Sequence, residues 1–313
     1  MRTVVIPPSR RAGEDLPSEA VVQTAGLSHQ GMKRSQNEDQ FLVATVQRSL
    51  TVAQTSLGSD VVRWLPSATT GTILLVADGM GGAAQGGLAS TIAVKAIVEY
   101  MCNAMPAAGP AEVAQSRLQR KTVPGMRVGL ASALEQADAD LRRAASASPP
   151  SARGQQMGTT ATLAYFLWPE LYVAHAGDSR CYLLRQGELH QLTTDHTYAD
   201  RMRASGGVQV DADSPWHHML WNALGGVRNS VLKPEIDRVP LEPWDTVLLC
   251  TDGLTKHVPD ATICAVVAQQ PDLDLCCQQL VALANQAGGT DNITVVLGRC
   301  APQARASQRV EVP

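Results

Sequence analysis

No Cys-x-x-Cys pair occurs in this 313-residue chain, and its seven cysteines (Cys102, Cys181, Cys250, Cys264, Cys276, Cys277 and Cys300) are scattered and odd in number. That argues against a disulfide framework and a cysteine zinc site, and leaves reduced, mostly buried thiols as the expectation. The seven histidines show no HExxH or comparable ligand spacing, so no histidine metal site is indicated. No stretch approaches the ~18 uninterrupted apolar residues of a membrane helix. The opening Met1-Arg-Thr-Val-Val-Ile6 is too short in its apolar part for a secretory signal. A cytoplasmic protein without a membrane partner is expected. A net charge of −3 gives no electrostatic reason to expect nucleic acid. With 44% hydrophobic and 18% charged residues, the composition is that of a globular protein.

What is present is a repeated pattern. An apolar run stops on Asp-Gly at Ile73-Leu-Leu-Val-Ala-Asp78-Gly79 and again at Val247-Leu-Leu-Cys-Thr-Asp252-Gly253. Each run reads as a buried strand, with the Asp where the strand emerges and the Gly letting the chain turn away. Carboxylates at strand ends are ligand positions. If a third converges on them, the economical reading is a divalent metal site, because Mg²⁺ and Mn²⁺ prefer oxygen donors.

Strands are predicted at 40–46, 72–77, 159–167, 170–176, 180–185, 245–250 and 292–298. Helices are predicted at 87–105, 127–145, 260–268 and 272–287. Leu130, Leu134, Ala137 and Leu141 form one apolar face of the second helix, and Cys276, Leu280 and Leu283 that of the last. Grouping in blocks, more than strict alternation, predicts an α+β protein with antiparallel sheets and helices packed outside. Residues 1–23 and 300–313 read as loose tails around one domain over 24–299. Within it, 196–235 reads as an irregular flap-like subdomain, 47–70 as a long hairpin or loop, and 105–125 and 146–156 as surface connections.

Six carboxylates fall at predicted strand ends or tight turns: Glu38, Asp39, Asp78, Asp178, Asp252 and Asp291. Any one alone reads as a solvated turn residue. Gathered together without cations, they would repel by several kcal/mol.

The chain resembles the protein phosphatase 2C family, the metal-dependent Ser/Thr phosphatases, and its bacterial branch in particular. The matching segments, in family order, are Gly31-Met-Lys-Arg34-Ser-Gln-Asn37-Glu38-Asp39, Asp78-Gly79-Met80-Gly81-Gly82, Gly158-Thr159-Thr160, Gly177-Asp178-Ser179-Arg180, Asp195-His196, Asp252-Gly253-Leu254 and Asp291-Asn292-Ile293-Thr294. The resemblance implies a four-layer α-β-β-α sandwich with a binuclear Mn²⁺ or Mg²⁺ centre at one end. It implies that Asp78 bridges both metals, that Gly79 offers its carbonyl to one, and that Asp252 and Asp291 hold the other. Glu38, and with it Asp39, resembles the acids that hold metal-bound waters. Asp178 resembles the partner for a third, weaker metal shared with Asp252, and Arg34 the arginine that holds the substrate phosphate.

Two ions about 3.5 to 4 Å apart lower the pKa of a bridging water, and the resulting hydroxide attacks phosphorus in line. No phosphoenzyme is required, in keeping with the lack of a Cys-x5-Arg loop. Met80 stands where many eukaryotic relatives have a histidine assigned as general acid, and a thioether donates no proton. The expected partners are phosphorylated proteins made by Ser/Thr kinases, and a monomer is the expected state. His196 reads as a structural hydrogen-bonding residue. Vicinal His217 and His218 point apart on regular structure, and Trp216 and Trp221 either dock a substrate or pack. Two other readings stay open: an inactive phosphoprotein-binding adaptor, which would be expected to lack one of the metal carboxylates, and a two-metal hydrolase of other phosphoesters.

Overall fold

The computed structural model describes residues 20–49, 68–81, 85–105, 125–147, 157–206, 213–225 and 230–302, with the single positions 6, 54, 210 and 211. Most of the 47–70 segment, of the connections 105–125 and 146–156 and of the two chain ends lies outside the described residues, as do Gly82, Gly207 and Gly226.

Two five-stranded antiparallel sheets stack face to face. The first runs in the order β1-β12-β11-β8-β9, from Ala20–His29, Ile293–Pro302, Thr246–Cys250, Arg180–Arg185 and Glu188–Gln191. The second runs β10-β7-β6-β3-β2, from Glu235–Pro240, Glu170–Ala176, Ala161–Leu167, Ala68–Ala77 and Gln40–Ser49. A short ladder pairs β4 (Gly79–Met80) with β5 (Gly158–Thr159). Helices α1 (Gln85–Asn103) and α2 (Met126–Ala147) cover the second sheet. Helices α5 (Asp260–Gln269) and α6 (Leu273–Gln286) cover the first. Of the shorter helices, α3 (Tyr198–Ala204) packs beside the Pro215–His217 turn and α4 (Asp252–Thr255) directly follows β11. The predicted four-layer α-β-β-α sandwich is the architecture found. Among the described residues no helix is long and apolar enough to cross a membrane.

Both Asp-Gly runs are interior strands, and side-chain alternation feeds two cores from each. On β3, Ile73 and Leu75 pack toward α1 and α2, while Leu74 and Val76 enter the layer between the sheets. On β11, Leu248 and Cys250 pack toward α5 and α6, while Val247 and Leu249 enter the same middle layer. Removing one such side chain, as in Leu249→Ala, costs about 2–5 kcal/mol. The predicted face of α2 is buried throughout, and α6 buries Cys276 and Leu280 with Leu283 at the margin. Its first turn is capped as its sequence suggests, Asp272 Oδ1 accepting the Leu275 N–H at 3.0 Å. Gly288 and Gly289 end it at φ +129° and +50°.

Besides the two-residue β4, three strands of the five-stranded sheets are not predicted from the sequence: β1, β9 and β10. Each lies at the edge of its sheet, half buried and without a clean alternation. Strand β1 pairs with β12 from Ala20↔Pro302 onward, so the sheet extends beyond the expected 24–299 limits at both ends. The 196–235 flap is more regular than its sequence suggests. It contains α3, capped by Thr197, and a 3₁₀ turn at Pro215–His217, and it runs into β10 at Glu235.

Candidate metal centre

Asp78 and Asp252 leave different sheets at the same end of the sandwich, and the loop before β2 brings Arg34, Glu38 and Asp39 to the same place. The Asp78 backbone is fixed by the Gly158-Thr159-Thr160 segment. Its N–H donates to Thr160 Oγ1 at 2.9 Å, and its carbonyl accepts from the Thr160 N–H at 2.9 Å and Thr159 Oγ1 at 2.8 Å. The following glycine serves close approach. Gly79 does not have a positive φ, but a Cβ there would lie 2.2 Å from the Gly86 carbonyl oxygen and 2.7 Å from that of Glu38. Gly253 is equally confined, 1.9 Å from the Asn292 carbonyl oxygen. The expected reason for both glycines, a sharp turn, therefore gives way to lack of space.

Glu38 sits against the start of α1, where its Oε1 lies 2.7 Å from where a Gly86 Cβ would be. Asn292 commits its whole side chain to this loop. Its Oδ1 accepts the Glu38 N–H at 2.9 Å, and its Nδ2 donates to the carbonyls of Gln30 and Gln36, both at 2.9 Å. Asp39 is buried, and its Oδ2 accepts from Thr251 Oγ1 at 2.9 Å and Thr294 Oγ1 at 2.6 Å, tying the second sheet to the first.

The carboxylates perturb one another in the way a shared site requires. Burial, then Asp39, Asp252, Asp178 and Asp291, pushes Asp78 well above its ordinary value. Burial raises Asp39 to about 7 against its two threonine hydrogen bonds. Burial and then Asp252 and Asp195 raise Asp178 to about 8, with Lys256 pulling the other way. Burial also raises Glu38, opposed first by Arg34. Asp291 goes the other way: Lys256 and Arg34 outweigh its burial and hold it below the usual range.

Both Asp291 oxygens are engaged. Arg34 grips it through Nε to Oδ1 at 2.8 Å and Nη2 to Oδ2 at 2.9 Å, and Lys256 Nζ reaches Oδ2 at 2.9 Å. The same ammonium lies 2.5 Å from Asp252 Oδ2. With these cationic side chains drawn in, no group of three or more His, Cys, Asp or Glu side chains forms a ready cage among the described residues. Three buried carboxylate oxygens nevertheless have no hydrogen-bond partner: Glu38 Oε1, Asp39 Oδ1 and Asp252 Oδ1. Unpaired, buried, hard oxygen donors beside a carboxylate as strongly repelled as Asp78 fit divalent cations.

A cleft of about 910 Å³ opens beside the site, lined by Asp178, Asp252 and Lys256 at one end and by Arg203, His217 and His218 of the flap region. It does not extend to Asp78, Asp291 or Arg34. The histidines join no metal cluster among the described residues. Instead His196 buttresses the Asp178 loop: its Nδ1 accepts the Gly177 N–H at 3.1 Å, and its Nε2 lies 3.2 Å from Glu235 Oε2. Trp221 packs on its ring at 4.9 Å, whereas Trp216 is exposed. Asp195 pairs with Arg180 at 2.7 Å. Asn292 and Lys256 were given no role by sequence reasoning. Only the placement of Lys256 four residues after Asp252 hinted at its ion pair.

Oxygen donors gathered where two sandwiched sheets end define a class of proteins built to work through hard divalent cations. The sequence model of the protein phosphatase 2C family matches residues 52–288, and the chain belongs to that family. The serine/threonine phosphatase stp of Listeria innocua is 33% identical over 229 residues, covering 72% of this chain and 83% of that protein. PstP of Mycobacterium tuberculosis is 32% identical over 227 residues, covering 72% of this chain and 40% of the relative. Among solved structures, the S. agalactiae serine/threonine phosphatase superposes with a TM-score of 0.68 at 25% identity, over 89% of this chain and 99% of that one. The catalytic domain of PstP, solved in complex with two manganese ions, gives 0.66 at 27% identity over 90% and 100%.

Proposed function

We propose that this chain is a metal-dependent protein phosphatase that hydrolyses phosphoserine and phosphothreonine without a phosphoenzyme, residues 20–302 forming the catalytic unit. The observation that carries the reading is the set of orphaned oxygens on Glu38, Asp39 and Asp252 around Asp78. Two Mn²⁺ or Mg²⁺ ions would be held by Asp78, the Gly79 carbonyl, Asp252 and Asp291, with Glu38 and Asp39 behind them through water. When bound, such ions acidify a shared water and neutralise phosphate charge.

The chain's own groups supply the rest. Arg34 is half exposed and spends Nε and Nη2 on Asp291, while Nη1 bonds no acceptor among the described residues. A planar guanidinium with donors to spare suits a phosphate oxygen. The cleft beside Asp178 offers room for the peptide around the phosphorylated residue. Burial pushes the Cys250 thiol, two residues before Asp252, up to about 12, so it supplies no thiolate nucleophile at neutral pH. Family membership and the intact Asp78, Asp252 and Asp291 favour an enzyme over an adaptor.

The test is Mn²⁺-dependent release of phosphate from a phosphothreonine peptide, beside a phosphodiester and a small phosphomonoester, with Asp252→Asn as control. Turnover of the peptide that needs Mn²⁺ and is lost in the variant is expected. Metal-independent turnover, full activity in Asp252→Asn, or preference for the diester would overturn the reading.

A further inference from the structure

One sheet edge opens into the cleft beside the proposed metal centre. Strand β9 (Glu188–Gln191) ends the first sheet and pairs with β8 on one side only. The unbroken run from Leu189 to Asp195 lines the cleft. Side chains on a strand alternate between its faces, so consecutive lining residues mean that the cleft follows the backbone edge and not one face. The other three edges, β1, β2 and β10, line none of it. Helix α5 packs near β9, the Cys264 thiol donating to the Gly187 carbonyl at 3.3 Å, yet no residue of α5 borders the cleft.

The turn before β9 fixes which backbone groups face outward. Gln186 and Gly187 both have positive φ, +53° and +83°, as in the two-residue turns whose twist matches that of their strands. The turn closes on the pair Arg185↔Glu188, and hydrogen bonds are then exchanged at alternate pairs along the ladder. The bond from the Leu192 N–H to the Cys181 carbonyl, 2.8 Å, keeps the same phase. Glu188, His190 and Leu192 therefore turn their backbone groups toward β8, and Leu189 and Gln191 turn theirs away from it. Among the described residues no partner outside β8 takes the N–H and C=O groups of Leu189 and Gln191.

This edge leads to the centre. Beyond β9 the chain reaches Asp195, which holds Arg180, and His196, whose N–H donates to the Gly177 carbonyl at 2.7 Å, directly before Asp178. The cleft thus has the edge along one wall and Asp178 and Asp252 at its end. Its charged side chains are largely spent on one another: Arg180 pairs with Asp195, Arg203 with Asp200 and Lys256 with Asp252. What the cleft offers a polypeptide is main chain.

We propose that the substrate polypeptide beside its phosphorylated residue binds as an extended strand added to β9, held main chain to main chain by Leu189 and Gln191. This rests on the proposed phosphatase activity and names the form its substrates take. They are phosphorylated residues in extended segments, such as loops and tails, with little demand on the charge of the flanking side chains. A helical segment has already spent its N–H and C=O groups internally and cannot pair in this way.

The test gives the full wild-type chain, with Mn²⁺, a series of phosphothreonine peptides that each carry one N-methylated amide, scanned along both sides of the phosphothreonine. Within one stretch, kcat/KM is expected to fall about three- to tenfold at every second amide and to change little at the amides between. Exchanging acidic for basic flanking residues is expected to change it less. In parallel, amide exchange is followed residue by residue in EDTA with the unmodified peptide in excess. Slowing is expected at Leu189 and Gln191 but not at His190 and Leu192, which β8 already protects. Equal effects at neighbouring amides, or no slowing at Leu189 and Gln191, would overturn the proposal. Absence of any turnover with Mn²⁺ would remove the phosphatase reading and leave the edge to be decided by amide exchange alone. Turnover without alternation would keep that reading and remove the edge.

Discussion

Asp78-Gly79 and Asp252-Gly253 share one sequence pattern, and the chain treats them in opposite ways beyond it. After Asp78 the backbone stays extended and pairs as β4 with β5. After Thr251 it turns at once into α4, with Asp252 in the first helical turn. The charges diverge as well. Asp78 is pushed well up by its burial and then by the carboxylates of Asp39, Asp252, Asp178 and Asp291. The Asp252 end has Lys256 and Arg34, and its partner Asp291 is held down. The lesson is that a motif fixes where a carboxylate emerges, whereas the residues arriving from distant segments decide whether its charge is already balanced.

The largest test of this contrast uses Asp78→Asn and Asp252→Asn. On the proposed function both remove a carboxylate that holds metal, and loss of several kcal/mol of transition-state stabilisation would lower kcat/KM by about a thousandfold or more. Their stabilities without metal should part company. In EDTA, Asp78→Asn is expected to raise Tm because it removes a buried, repelled charge, and Asp252→Asn to lower it because it takes a partner from Lys256. Shifts of the same sign would break the comparison.

Where the two ends should agree is at their glycines. Gly79→Ala and Gly253→Ala each drive a Cβ into a backbone carbonyl, and each is expected to cost about 1–3 kcal/mol or more in urea unfolding. A neutral substitution at either position would refute close approach as the requirement. Smaller again is Thr160→Val, which strands the Asp78 N–H and breaks the 2.7 Å bond to Ser179. About 1–2 kcal/mol is expected, with Thr160→Ser restoring most of it.

The pH dependence separates the ends by sign. Asp39 and Asp178 hold protons to about 7 and 8 in the fold, against an ordinary 3.8. Their contribution is fully present below pH 4 and is lost as pH rises through 7 to 8. Asp291, held low, contributes above its ordinary value and loses that contribution as pH falls. In EDTA, Tm should decline from pH 5 to 8, and the Mn²⁺-induced rise in Tm should be greatest at pH 8. An Mn²⁺ effect that shrinks with rising pH would count against uncompensated carboxylates.

Much of this was legible in the sequence. Interior strands such as β3 and β11 announce themselves because both faces are buried and nearly every residue is apolar. Edge strands β1, β9 and β10 do not, since pairing on one side tolerates polar residues that blur the alternation. The carboxylates were visible as strand ends. Lys256 and Asn292 were not, because a lysine in a short helix and an asparagine after a turn acquire meaning only from partners far along the chain. Asn292 binds Glu38 across 254 residues. The glycines were found for the wrong reason, since crowding by Gly86 and Asn292 is a tertiary fact.

Strand β12 carries a consequence for the life of the chain before it is a finished protein. It lies between β1 and β11, so β1 joins the rest of its sheet only through a strand synthesised after both of them. The Asp39–Thr294 bond spans 255 residues. Such long closures are slow and come late. A ribosome-bound chain that has not yet released residues 293–302 has neither the Asp39–Thr294 tie nor a continuous first sheet. The carboxylate cluster proposed to hold metal is therefore completed only in the last step of folding.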